Sequence, residues 1–233
     1  MGKLNLKPGS KLYDPPSFWD RLHHQPRFRP LYPSEHVVRF LVRYYRPVLE
    51  RGKSPKILDI GVGGGRHTKL VWELGFDAFG IDISTVGLKY TRSWILNQGG
   101  RTELVRASMG ALPFKSEEFD AVISFGVFNY GTAKEMCMAI REVHRILRAK
   151  GKAFIVLRTT QDYRYGKGDS IEPNTFLLRI QETNEEGTFQ HFLPEKAVFD
   201  YFSIFSCLEF EKTETTFMNR QRLNSDWLIT VGK

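Results

Sequence analysis

Three groups of residues have the type and spacing to hold or transform a ligand. The first is Asp59-Ile60-Gly61-Val62-Gly63-Gly64-Gly65, which separates the apolar run ending at Ile60 from a helical pattern over about 66–74. Glycines at a strand-to-helix turn let the backbone approach a ligand and aim a helix N-terminus at it. The dinucleotide fingerprint fails here, because its third glycine would fall on Arg66 or Thr68, and the Gly-Lys-Ser/Thr of a phosphate loop is also missing. The second is Asp82, at the end of the next apolar run, Ala78–Ile81. An acid in that place can take both ribose hydroxyls of an adenosine. The third comprises the stretches after the fourth and fifth strand patterns, Phe125–Tyr130 and Arg158–Tyr165.

Within these stretches Asn129 and Tyr130 are candidates for contact with a reacting molecule, as are Asp162 and Tyr163. His191, farther along, is either a general base or a packed histidine. His67 opens a helix beside the glycines and suits either a ligand contact or a structural role. Tyr13, Phe18 and Trp19 either pack the N-terminal segment or fold over the ligand as a lid.

The elements that must position these residues alternate. Strands are expected at Lys56–Ile60, Ala78–Ile81, Thr102–Ala107, Phe119–Ser124 and Lys152–Leu157, with helices near 66–74, 84–96 and 133–147. Strands alternating with helices imply a doubly wound, mainly parallel α/β sheet, whose ligand crevice lies beyond the C-terminal strand ends. Six prolines between Pro8 and Pro33 forbid a long helix there; Ser34 then opens a helix that Pro47 bends or ends. After Arg158 the rhythm breaks. Residues 159–172 read as a polar, Gly-rich loop. Asn174–Ile180 and Gly187–Phe192 read as a β-hairpin inserted after the fifth strand. Strands over about Cys207–Glu214 and Asp226–Val231 complete seven, as a terminal antiparallel pair. One domain over 1–233 is expected: an N-terminal lid (1–55), a cofactor-binding core (56–158), an acceptor-side insertion (159–204) and terminal strands (205–233).

With 41% hydrophobic and 26% charged residues, the chain is neither disordered nor fibrous. Its two cysteines, Cys137 and Cys207, stand alone, which excludes a disulfide scaffold and suits a reducing cytoplasm; no metal is expected. No apolar run reaches membrane-span length and no secretory signal is visible, so no membrane partner is expected. The net charge of +8 lies wholly in residues 1–56, which hold 12 basic and 4 acidic side chains. Such a segment either attracts an anionic partner or forms a solvated basic face.

Taken in order, these motifs resemble the class I S-adenosylmethionine-dependent methyltransferases over Ile57 to about Leu157. Ile57–Gly65 is similar to the family's first motif and Gly80–Ser84 to its second. Ala107-Ser108-Met109-Gly110-Ala111-Leu112-Pro113-Phe114 is similar to its Gly-Asp-x-x-x-Leu-Pro-Phe segment. Phe119–Ser124 and Glu142–Leu147 with Gly151 match the approaches to the fourth and fifth strands. The resemblance implies S-adenosylmethionine as cofactor and S-adenosylhomocysteine as product. It implies that Asp59 with Gly61, Gly63 and Gly65 holds the methionine half, and that Asp82 takes the ribose. Ile83, Ser108 and Met109 would meet the adenine, with serine where the family often has aspartate. Ser124 and Phe125 would lie beneath the sulfonium, and Trp19 would cover the cofactor.

The expected function is methyl transfer to an O or N atom of a small polar molecule, sugar-like or anionic. The aromatics beside Arg158, Arg164 and Lys167 suggest that acceptor. Two rivals stay open: an RNA methyltransferase using the basic segment, and a non-catalytic cofactor-binding partner protein.

Overall fold

A computed structural model describes residues 14–233; the expectations for Tyr13 and the rest of 1–13 lie outside the described residues. Seven strands form the main sheet in the order β3-β2-β1-β4-β5-β10-β9. These are β1 (Lys56–Ile60), β2 (Asp77–Asp82), β3 (Glu103–Arg106), β4 (Phe119–Phe125), β5 (Leu147–Arg158), β9 (Cys207–Phe217) and β10 (Arg222–Gly232). The first five are mutually parallel, while β10 runs antiparallel between β5 and β9. The expected seven-stranded doubly wound sheet with a terminal hairpin is therefore present.

Both sheet faces are covered, so adjacent strand residues serve different cores. Leu58, Ile60, Val122 and Ile155 meet α5 (Ala133–Ile146) and α6 (Glu195–Phe202), where Met136, Ile140, Val143 and Phe202 are buried. Ile57, Ala121, Ile123, Phe154 and Val156 meet α2 (Glu35–Leu49) and α3 (Arg66–Glu73) through Val37, Phe40, Leu41 and Val71. Pro47 lies inside α2, which continues for two residues beyond it. The helix α4 (Thr85–Leu96) starts where Ser84 Oγ accepts the Gly87 amide at 3.0 Å.

One element departs from the sequence reading, and a second fits its exclusion of a long N-terminal helix. The expected hairpin is a three-stranded antiparallel sheet of β6 (Gly168–Glu172), β7 (Thr175–Leu178) and β8 (Phe189–His191). No residue of the added strand β6 is buried and four of its five are polar or glycine, so no apolar alternation marks it. It depends on Gly168, where a Cβ would sit 2.1 Å from the Leu177 carbonyl oxygen. The Pro-rich segment also holds a short helix, α1 (Pro15–His23), with both prolines in its first two positions, where a missing N–H costs no hydrogen bond.

Candidate functional site

The C-terminal ends of the parallel strands, roofed by α1, enclose a cavity of about 470 Å³. Its floor begins at the glycine turn between β1 and α3. Gly61 and Gly63 adopt left-handed φ of 78° and 53°, a region that side-chain-bearing residues seldom enter. A Cβ on Gly61 would lie 2.2 Å from Val127, so this glycine lets the turn close against the segment after β4. At Gly63 the nearest atom to a Cβ would be His23 Nε2, at 3.5 Å. One wall is Asp82 and Ile83. Asp82 Oδ2 accepts the Gly63 amide and Oδ1 the Ser84 amide, both at 2.8 Å. The carboxylate thus ties the glycine turn to the start of α4. Burial pushes the Asp82 carboxyl upward, against the pull of the His23 ring and these amides.

Ala107, Ser108 and Met109 continue the wall after β3, and Phe125, Gly126, Val127 and Tyr130 close it after β4. The roof is Pro15, Pro16, Trp19 and His23. Trp19 and His23, four residues apart, share one face of α1. Trp19 stands edge-on to Tyr130, ring centres 4.7 Å apart, and stacks on His23 at 5.9 Å.

Of the residues singled out from the sequence, the cavity gathers Gly61, Gly63, Asp82, Ile83, Ser108, Met109, Phe125, Trp19 and Tyr130. It does not gather Asp59, Gly65, Ser124, Asn129 or His191. Asp59 is buried behind the glycine turn, where its Oδ2 accepts the Thr68 hydroxyl at 2.7 Å; burial raises its carboxyl to about 6. Gly65 is filled against Thr91, 2.5 Å from where a Cβ would stand. The Ser124 hydroxyl and both amide atoms of Asn129 are buried without a hydrogen-bond partner. Asn129 touches the insertion through its carbonyl, which accepts the His191 amide at 2.8 Å. His191 is held on both sides, Nδ1 by Thr175 Oγ1 at 2.7 Å and Nε2 by Tyr201 Oη at 3.2 Å, and burial lowers its pKa. That is a packed histidine joining β7, β8 and α6. His67 Nε2 accepts the Ser34 amide at 3.2 Å, and burial drives the ring to about 3, so it anchors the start of α2.

Behind Tyr130 lies a buried ionic network that the sequence reading did not assemble. Glu185 accepts the Tyr130 hydroxyl at 2.6 Å, Arg158 at 2.9 Å and Arg164 Nε at 2.6 Å. Arg164 also reaches both carboxylate oxygens of Asp162 and the side chain of Asn224, while Arg158 donates to Gln190. Burial alone would raise Glu185, but the two guanidiniums prevail and hold it at about 2. Burial and the Glu185 charge push the Tyr130 phenol well above its ordinary value, so it stays protonated. Arg158 and Arg164 are thereby spent inside the protein, and Lys167 lines a separate groove with Arg179 and Arg222.

His23, Pro15 and Pro16 were missed as site residues. The available signal was the Pro-Pro helix start followed by Trp19-x-x-x-His23, a one-face spacing once a helix is assumed.

A family model for a methyltransferase domain matches residues 57–151. Over 111 residues the chain is 35% identical to the ubiquinone/menaquinone biosynthesis C-methyltransferase UbiE of Cronobacter sakazakii, covering 45% of this chain and 43% of that protein. It is 29% identical over 133 residues to an uncharacterized protein of Methanocaldococcus jannaschii, covering 57% of this chain and 48% of the relative. The chain thus spans less than half the length of these curated relatives. In architecture it is similar to a SAM-dependent methyltransferase from Methanosarcina mazei, with a TM-score of 0.66 at 23% identity over 80% of this chain and 97% of that one. A possible histamine N-methyltransferase from Thermotoga maritima gives 0.58 at 15% identity, covering 93% and 99%. At such identities the solved structures speak for the fold. Among the described residues no helix is long and apolar enough to cross a membrane.

Proposed function

Because residues 57–151 belong to the methyltransferase domain family, we propose that this chain moves a methyl group from S-adenosylmethionine to a small-molecule acceptor. The observation that carries this reading is the cavity at the parallel strand ends, bounded by the glycine turn and by Asp82. Its volume lies within the ~300–1,000 Å³ of small-molecule sites. The residues fit the cofactor. Ile83, Ala107 and Met109 offer apolar surface to an adenine, and Asp82 offers a carboxylate to a vicinal diol. Gly61 and Gly63 offer backbone without side chains to the amino-acid half.

When bound, S-adenosylmethionine supplies a methyl group already activated by the sulfonium charge. The protein then has to align the acceptor at near-attack distance and keep water out. Trp19, Pro15 and Pro16 supply the roof, and Phe125, Val127 and Tyr130 the acceptor-side wall. Tyr130 donates its hydroxyl hydrogen bond to the Glu185 carboxylate and stays a phenol, so it shapes the wall and does not abstract a proton.

The acceptor we infer is methylated at O or N and carries a flat apolar portion against Trp19, Phe125 and Tyr130. An anionic acceptor finds little support, since Arg158 and Arg164 are already paired. A second reading is methylation at carbon, which the name of the UbiE relatives and the same aromatic wall favour. RNA as acceptor draws less support: several arginines of the basic segment lie over aromatic rings of this chain, Arg21 on Phe18, Arg29 on Tyr90 and Arg43 on Tyr44.

The test is incubation with methyl-labelled cofactor and cell extract, with and without nuclease, followed by mass and NMR analysis of the product. A small, nuclease-insensitive product carrying the label supports the reading, and its NMR spectrum separates heteroatom from carbon. Label confined to nuclease-sensitive material would make RNA the acceptor. Failure of S-adenosylhomocysteine to bind in calorimetry would sink the cofactor assignment.

A further inference from the structure

The proton accounting around His23 has a consequence for the cavity. His23 is 5% exposed, and its ring lies between Trp19, the glycine turn and Ser84. Its Nδ1 is 2.8 Å from Ser84 Oγ. That hydroxyl has one hydrogen, and it also lies 2.7 Å from Asp20 Oδ1. The Val86 amide and the Ser84 hydroxyl hold Asp20 below its ordinary value in spite of burial, so Asp20 is a carboxylate and can only accept. The Ser84 hydrogen therefore goes to Asp20. The contact with His23 must then be Nδ1–H donating to Ser84 Oγ, which fixes the tautomer. Burial lowers the His23 pKa and keeps the ring neutral at neutral pH, so Nε2 bears a lone pair.

That lone pair is turned toward Gly63, 3.5 Å from where a Cβ would stand, at the cavity wall that also holds Asp82. Among the described residues Nε2 has no hydrogen-bond partner, and it does not share the full burial of the unpaired Ser124 and Asn129 atoms, so a ligand in the cavity can reach it. Asp82 already takes one amide on each oxygen. A vicinal diol brings two donors to this corner.

We propose that His23 Nε2 is a second acceptor for the cofactor's ribose diol, supplied by α1 beside Asp82. This rests on the cofactor reading given above. One hydroxyl goes to Asp82 and the other to His23. Because His23 and the roofing Trp19 share one helix face, the ribose contact fixes the cover over the acceptor space as the cofactor binds.

Calorimetry with S-adenosylhomocysteine and its 2′-deoxy and 3′-deoxy analogues tests the assignment on the full chain. The wild type should bind each deoxy analogue about tenfold more weakly than the parent. His23→Phe keeps a flat ring beside Trp19 and removes the acceptor. It should bind the parent about tenfold more weakly and lose its penalty for one missing hydroxyl, to within about twofold, while keeping the penalty for the other. Retention of both penalties in His23→Phe overturns the proposal, as does a wild type indifferent to both deoxy analogues, a result that needs no variant to fold. Asp82→Asn separates the role of His23 from the cofactor's place beside Asp82. If it weakens the parent while His23→Phe does not, only the role of His23 falls. If the wild type does not bind S-adenosylhomocysteine at all, the cofactor reading falls and this proposal with it.

Discussion

The two sides of the cavity are built on different physical terms. On the β1–β2 side, main-chain geometry dominates: left-handed glycines, a carboxylate accepting two amides, and a short turn into a helix. These features lie between residues 61 and 84, with His23 of α1 set against them. On the β4–β5 side, side-chain charge dominates. Glu185 joins Tyr130, 55 residues away, to Arg158 and Arg164, and so fastens the three-stranded insertion to the main sheet. The comparison teaches that one wall is shaped by what side chains leave open, and the other holds its shape through side chains already committed to one another.

Mutation should separate these two walls. The largest effect belongs to Glu185→Ala, which leaves two buried guanidiniums without their carboxylate. A loss of about 3–5 kcal/mol in urea unfolding is expected, with affinity for S-adenosylhomocysteine in the folded fraction shifted much less. A loss below about 1 kcal/mol would mean that the network is dispensable. The milder Glu185→Gln sharpens the point through pH. The carboxyl is held at about 2, below its ordinary 4.5. Its stabilisation is therefore complete above pH 4.5 and lost as pH falls toward 2, a swing of about 3 kcal/mol. The glutamine variant should lack that part of the acid limb in stability measured from pH 6 to pH 2.

The opposite wall should respond in affinity as well as in stability, because Asp82 also holds the Gly63 and Ser84 amides. Asp82→Ala should weaken S-adenosylhomocysteine by about tenfold to a hundredfold, the equivalent of roughly 1.5–3 kcal/mol for a hydrogen bond to a charged group. Unchanged affinity in calorimetry would remove Asp82 from the ligand. Trp19→Ala deletes the edge-on contact with Tyr130 and the stack on His23, contacts of the fold itself worth about 0.5–1.5 kcal/mol of stability; opening the roof should also weaken binding by about three- to tenfold. The smallest expected effect on binding lies at the start of α5, where Thr132 and Glu135 cap each other's backbone amides and Glu135 borders the cavity. Thr132→Ala should cost about 1 kcal/mol of stability and shift ligand affinity only slightly, through Glu135.

The same contrast explains what was legible in the sequence. The glycine turn, Asp82 and the five parallel strands are local patterns, so residue spacing reveals them. The seven-stranded, mainly parallel sheet with its terminal antiparallel pair followed from strand–helix alternation and the two terminal strands, while the strand order did not. Less was readable where the structure depends on encounters between distant residues. Glu185 sits in what reads as a hairpin turn, and nothing near it in sequence announces two arginines. Arg158 and Arg164 looked like free cations for an anionic acceptor because their partners lie 27 and 21 residues away. His191 and Asn129 have polar groups suited to a reacting molecule, but burial commits His191 to Thr175 and Tyr201 and leaves Asn129, after β4, off the cavity surface. β6 escaped notice because an exposed edge strand needs no apolar alternation. His23 hid behind prolines that read as helix breakers, although two prolines at a helix start are harmless.

The antiparallel place of β10 has a consequence for how the chain comes to be made. β10 fills the gap between β5 and β9, so the outer edge of β5 stays bare until residues 222–232 exist. A chain synthesised from its N-terminus at ~5–20 residues per second carries that apolar edge open for several seconds after Arg158 emerges. An unpaired edge rich in Phe, Ile, Val and Leu is a template for pairing with another nascent chain. The strand that finally forms the outer border, β9, is by contrast dense in charge, with Glu209, Glu211, Lys212 and Glu214 along it. The finished sheet is guarded at its rim, and its exposure to aggregation is confined to one interval of translation.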